Sequence, residues 1–311
     1  MGEVIIAVLL GLLVGNLTPL PDTLAPGIKF SFRTILPAAI VLLGARFSFQ
    51  QVVAIGGRAI IVIAILMTLA LLVAHGLGRL LGVPGKLATL IGIGTAICGN
   101  SAISATAPVI KARDEDVSFA IATNTLLGTL AVFFYPALGH ALGLTNARFG
   151  TWAGMAVNDT SQVVAAGFAF SEKAGEIATA VKLTRNALMG VVIVLMGFLY
   201  TRRGERRPAS LFDTLRQSVP VFVVGFLVMA ILNSLGAIVW AAGVTGVDLM
   251  TGLKDTAQFL ILVALTGVGL GTRVATLREI GLKPFYVGFA TAATTSLTSY
   301  FLIWLLGPAG R

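Results

Sequence analysis

Charge is scarce in this sequence, and so are the residues that carry most covalent and redox chemistry. Only 11% of the 311 residues are charged, with 13 acidic side chains against 22 Lys and Arg. A single cysteine, Cys98, excludes an internal disulfide, and two histidines, His75 and His140, cannot build an ordinary zinc site without several carboxylate partners. No Walker motif is present, so an ATP-driven pump would need another subunit. A hydrolase using Ser101 as nucleophile would lack a histidine nearby in sequence and a glycine-framed nucleophile motif. These shortages predict a protein that is not an enzyme and holds neither cofactor nor metal. The N-terminus carries Glu3 rather than the basic stretch of a cleavable signal peptide, so the first apolar run is expected to persist as a helix.

What the sequence does contain is apolar surface: 57% of residues are hydrophobic and the mean hydropathy is +0.95. No soluble domain needs that much, and apolar runs near the roughly 20 residues that cross a bilayer recur throughout. The expectation is an all-α integral membrane protein forming one polytopic domain. Ten spans are read at 4–17, 34–49, 59–81, 86–110, 117–142, 149–170, 177–200, 219–240, 256–277 and 285–306. Helices are preferred to a barrel because the runs are long and continuous rather than alternating. The 36 glycines suit closely packed membrane helices.

Connections after odd-numbered spans hold thirteen Lys and Arg, among them Lys29, Arg33, Arg79, Lys86, Arg148 and Lys283. The opposite side holds six: Arg46, Arg58, Lys111, Arg113, Lys173 and Arg311. The richer side is therefore expected to be cytoplasmic, with both termini outside, 201–216 a cytoplasmic loop joining two halves of the chain, and the halves set at approximately 1–146 and 147–311. On this reading the net charge of +9 reports topology, and nucleic acid is not an expected partner.

A weak internal echo accompanies the spans. At an offset of 225 residues, Ala39, Gly44, Ile55, Gly56, Arg58 and Val62 meet Ala264, Gly269, Ile280, Gly281, Lys283 and Val287. The charge count points the two copies in opposite directions, so the echo predicts an inverted-topology repeat of the kind secondary transporters use.

Two spans carry polar residues where lipid would favour leucine. Residues 95–110, TAICGNSAISATAPVI, place Gly99, Asn100 and Ser101 in mid-span, with Pro108 beyond. Asn and Ser favour helix N-caps and Gly permits the turn, so a discontinuous helix is expected, lining a cavity. Residues 156–167, AVNDTSQVVAAG, repeat the device with Asn158, Asp159, Thr160, Ser161 and Gln162. The alternative there is a turn outside the membrane between two short hairpin helices, with Asp159 only an N-cap. Lys182 and Arg185 stand three residues apart on one helix face and need an anionic partner, unless both snorkel to the interface. Two half-helix N-termini and two cations near one acid favour an anionic solute. Asn124, Thr125 and Asn233 read as interhelical hydrogen bonders, and Lys254 with Asp255 as a local pair.

The motifs ICGNSAISATAPVIKA, VNDTSQVVAAG and ATAVKLTRN, in that order and spacing, resemble the YeiH family of proposed sulfate exporters. The likeness covers nearly the whole chain. It implies a bacterial inner-membrane carrier related to sodium/proton antiporters and bile-acid carriers, with crossed broken helices and export of sulfate or small sulfonates. Family members usually carry one more N-terminal helix, and many have histidine where this chain has Asn158. Crossed helices in related carriers run in opposite directions, whereas spans 4 and 6 run alike by count, so either a span is miscounted or span 9 breaks at 266–272.

The resulting expectation is an alternating-access carrier for a small oxyanion in the lipid bilayer, with a homodimer as a candidate assembly. Asn100, Ser101, Thr160, Ser161 and Gln162 would donate hydrogen bonds, Lys182 and Arg185 would supply charge, and Asp159 would couple transport to a proton or sodium ion. The alternative is a sodium/proton-type cation antiporter using Asp159 as its ion-binding acid.

Overall fold

The computed structural model describes residues 2–201, 220–272 and 281–308. The arginine-rich loop expected at 201–216 lies, from 202 onward, outside the described residues, as does the whole of the 273–280 connection. Every regular element among the described residues is helical. The chain opens with α1 (Gly2–Leu17), then α2 (Ala25–Phe30), a π-helical turn (Ser31–Ile35) and α3 (Leu36–Leu43), which form one continuous run ending in a 3-10 turn at Arg46. Next come α4 (Phe49–Leu81), α5 (Gly85–Ala96), α6 (Asn100–Thr106) and α7 (Asp114–Ala141). They are followed by α8 (Asn146–Ala156), α9 (Thr160–Phe170), α10 (Glu172–Ala187) and α11 (Met189–Thr201). The last four are α12 (Val221–Ser234), α13 (Ala237–Thr245), α14 (Leu249–Gly271) and α15 (Leu282–Leu306).

Six of these runs are long and apolar enough to cross a membrane, or seven if α12 and α13, bent by 69°, count as one. Ten spans are therefore not what the described residues form: α1 has only 16 residues, α12 and α13 are parted by their bend, and the remaining two expected spans end at the polar interruptions. Lys86 at the start of α5 donates from Nζ to the carbonyl of Lys111, just past α6, at 2.9 Å. The two ends of the α5–α6 segment thus lie side by side, so the chain dips in, turns at 97–99 and returns. The next interrupted segment does the same: Ser171 Oγ, just past α9, bonds Asn146 Oδ1 at the start of α8 at 2.9 Å. Phe149 of α8 stacks on Phe170 of α9 with ring centroids 4.0 Å apart. Helices of 12, 7, 11 and 11 residues are too short to span a bilayer singly, and each pair folds back as a re-entrant hairpin. The hairpin alternative weighed for 156–167 is the one realised, at membrane depth rather than outside it.

Only α7 separates the two hairpins, so they enter from opposite ends of α7 and their tips approach in the middle. The ends can be named by their cations. Lys86, Lys111 and Lys283 share one, since Lys283 Nζ lies near Gly82 at the close of α4. Arg46, Lys173 and Lys254 share the other through Glu172 and Glu176. Lys254 thus pairs with Glu172 at 3.3 Å rather than with Asp255. Arg148 also belongs to the second end, where its guanidinium sits 3.8 Å from the Trp304 ring centroid. The hairpins therefore move Lys111 and Arg113 to the basic end and Arg148 away from it, which sharpens the charge asymmetry read from the sequence.

The described helices do not display the expected inverted repeat. Its first copy leaves helix at Gly44, which begins the 3-10 turn, whereas Gly269 of the second copy lies inside α14, and Ile280 falls outside the described residues. α14 also runs unbroken to Gly271, so span 9 does not supply a crossing break at 266–271. The two glycines instead serve close packing: a side chain on Gly44 would meet the Phe226 carbonyl of α12, and one on Gly269 the Val8 carbonyl of α1.

Candidate functional site

α5 stops at Ala96 because Ile97 and Gly99 leave helical geometry. Gly99 has φ +70° and ψ −128°, a conformation only glycine reaches readily. α8 stops at Ala156, where Val157 turns extended, and α9 restarts after Asp159, whose Oδ1 accepts from Ser161 N at 2.9 Å and from Ser161 Oγ at 2.7 Å. Asp159 is thus the N-cap of α9, as one sequence alternative had it, and its carboxylate already answers the free amides there.

Each interruption exposes carbonyl oxygens that no longer have a helical partner, and in a dry interior those must be satisfied. Two side chains of α10 do so. Arg185 donates to Thr95 O at 2.5 Å and Ala96 O at 3.2 Å in the first hairpin. The same guanidinium donates to Gly154 O at 3.2 Å, to Met155 O and to Val157 O at 3.4 Å in the second. Lys182 Nζ donates to Ile97 O at 2.8 Å, to Val157 O at 3.0 Å and to Asn158 O. Their relative exposures are 0% for Lys182 and 2% for Arg185, so neither snorkels. Cations at helix C-termini face the negative ends of both macrodipoles, which is their favourable position. Among the described residues neither pairs with a carboxylate.

The tips touch where Gly99 meets Asp159. A Cβ on Gly99 would stand 3.0 Å from Asp159 Oδ2 and 2.7 Å from Asn124 Nδ2. Amides knit the contact outward. Asn124 Nδ2 donates to Asn100 Oδ1 at 3.0 Å, and Asn100 Nδ2 donates to Thr125 Oγ1 at 3.0 Å. Gln162 Nε2 donates to Thr125 O at 3.1 Å, while its Oε1 has no partner among the described residues and lies against Gly128.

Beside this contact lies a cavity of about 670 Å³, lined by Arg33, Asn100, Ser101, Ser104, Thr125, Asp159, Ser161 and Gln162 with apolar walls from Phe222 and Val268. Its walls come from the basic end of α7 and from the last turn of α14, so it lies on the basic side of the tips. A second cavity, about 470 Å³ and almost wholly apolar, lies along the other half of α7 and contains Asn158. Adjacent residues Asn158 and Asp159 thus line different cavities, and the second hairpin's tip is the partition.

Of the residues expected at the site, Asn100, Ser101, Asp159, Ser161 and Gln162 meet in the polar cavity. Thr160 does not line it and accepts instead from Asn186 Nδ2 at 3.1 Å. Lys182 and Arg185, expected to hold countercharge for a solute, are engaged by backbone carbonyls and are not among the lining residues. The cation in the wall is Arg33, in the π-helical turn. Sequence reasoning placed it one residue outside a span and so in a connection; its signal was a lone arginine within an otherwise uncharged run from 30 to 45.

A family profile described as "Conserved hypothetical protein 698" matches residues 1–288. The chain belongs to this family. It is the family to which the YeiH likeness points, and its curated relatives carry the name UPF0324 membrane protein. One from Agrobacterium fabrum is 36% identical over 305 residues, covering 98% of this chain and 84% of that protein. One from Streptococcus pyogenes serotype M3 is 36% identical over 312 residues, covering 98% and 90%. A third, from Clostridium tetani, is 31% identical over 317 residues with the same coverage. No solved structure gives a significant match. Family membership and the apolar helices together make this a multi-pass integral membrane protein.

Proposed function

We propose that the protein is a secondary carrier that exports a small oxyanion, sulfate or a sulfonate, from bacterial cytoplasm by alternating access. The observation that carries this reading is the polar cavity ending at two touching hairpin tips, with Arg33 as its cation and hydroxyls and amides of Asn100, Ser101, Thr125, Ser161 and Gln162 around it. Guanidinium forks suit planar, bidentate recognition of oxyanions. The excess of lysine and arginine at the cavity's end supports a cytoplasmic mouth in the plasma (inner) membrane.

Asp159 is the acid in the same wall, placed to couple anion movement to a proton or sodium ion. In proteoliposomes, labelled sulfate or sulfonate counterflow should disappear in Arg33→Gln. Counterflow equal to wild type in that variant would remove Arg33, and with it this reading. Cation antiport remains the second reading, favoured by the position of Asp159 in the wall: sodium-driven proton flux in the absence of any transported anion would select it.

A further inference from the structure

The carbonyl oxygens of Ile97, Val157 and Asn158 converge on one point from two different hairpins. Carbonyls at the unwound C-terminal ends of half-helices are the groups that coordinate monovalent cations in membrane carriers, since they sit at the negative ends of the helix dipoles. Here the point of convergence holds an ammonium. Lys182 Nζ has three N–H donors and no acceptor, and it finds three carbonyls. It is fully buried, and its neighbour Arg185 takes Thr95, Ala96, Gly154 and Met155 and reaches Val157 only at 3.4 Å, so Val157 is the one carbonyl the two cations share.

We propose that these three carbonyls form a monovalent-cation site at the meeting of the hairpin tips, and that the Lys182 ammonium is its tethered occupant. A tethered cation cannot leave with each cycle, so a sodium ion is neither needed nor accommodated there in the native chain. Emptying the site by shortening the side chain should convert it into one that takes sodium or a small alkylammonium from solution. The proposal concerns the tips alone: a sodium ion held at Asp159, as the cation-antiport reading has it, would add one response common to wild type and every variant, and the responses named below are those beyond it.

The test is thermal unfolding of the purified full chain in detergent, in sodium chloride, methylammonium chloride and choline chloride at equal ionic strength. Wild type should melt at the same temperature in all three. Lys182→Ala, and Lys182→Ser, whose hydroxyl adds an oxygen, should melt lower in choline and regain on the order of 3 °C in sodium or methylammonium, because a bound cation stabilises by mass action. Lys182→Met fills the space with an apolar chain and should be destabilised without any cation response. Stabilisation of wild type by sodium as large as that of the shortened variants, equal responses of the Ala, Ser and Met variants, or shortened variants recovered and responding no more than wild type would each overturn the proposal.

Discussion

Gly99 and Asp159, sixty residues apart in sequence, face each other so closely that any side chain on Gly99 would come within 3.0 Å of the Asp159 carboxylate. The contact is where one re-entrant hairpin meets the other, and it depends on a glycine twice over. The backbone there has φ +70°, and the space a Cβ would fill is already taken by Asn124 and Asp159.

Gly99→Ala is accordingly expected to separate the tips. Backbone strain in a glycine-only region, with two polar neighbours displaced, should cost about 1–3 kcal/mol of stability. Detergent melting of the variant would show the loss, and any transport should fall with it. A variant as stable as wild type would mean the tips do not meet as described.

Arg33 and Arg185 should behave as opposites. Arg185→Ala strips partners from buried carbonyls in both hairpins and is expected to lose about 3–5 kcal/mol, with little folded protein recovered. Arg33→Gln changes an exposed cavity wall and should shift stability by roughly 0.5 kcal/mol or less while abolishing stabilisation by sulfate. Thermal-shift titration of both variants with sulfate separates the roles.

The hairpin topology predicts a labelling pattern that ten spans cannot give. In a Cys98→Ser background, cysteines at Lys86 and Lys111 should react with a membrane-impermeant maleimide from the same side. Cysteines at Asn146 and Lys173 should react from the other. Labelling of the 86 and 111 positions from opposite sides would restore a spanning segment between them.

Gly128→Ala should act on the cavity through Gln162. A methyl there collides with Gln162 Oε1, so the amide must leave Thr125 and reorient in the cavity wall. The expected outcome is altered anion affinity at near-normal stability, read from counterflow against concentration.

Composition made the membrane class and the helical content legible, and glycine followed by Asn and Ser marked the first break to within a residue or two. Asn158 and Asp159 marked the second. What the sequence could not express was the direction of the chain after each break. A half-helix that continues and one that turns back have the same local residues, and the distinction rests on pairs such as Lys86 with Lys111 and Asn146 with Ser171. Lys182 and Arg185 were recognisable as buried cations in search of negative partners. Their partners are backbone oxygens, which every residue carries and no sequence pattern displays. Arg33 was misjudged for a related reason: hydropathy draws the span's edge at Thr34, whereas α2 and the π-helical turn carry helix back to Ala25.

Because the cations that quiet the first hairpin's carbonyls lie 85 to 90 residues downstream of them, that hairpin cannot be completed in the order in which it is synthesised. At a ribosome speed of about 5–20 residues per second, Thr95, Ala96 and Ile97 wait roughly 4–18 s for α10 to emerge. During that interval their oxygens are best left hydrated, so the loop is expected to linger at the translocon or the lipid headgroups. Its burial would follow α10 as one of the last events of biogenesis.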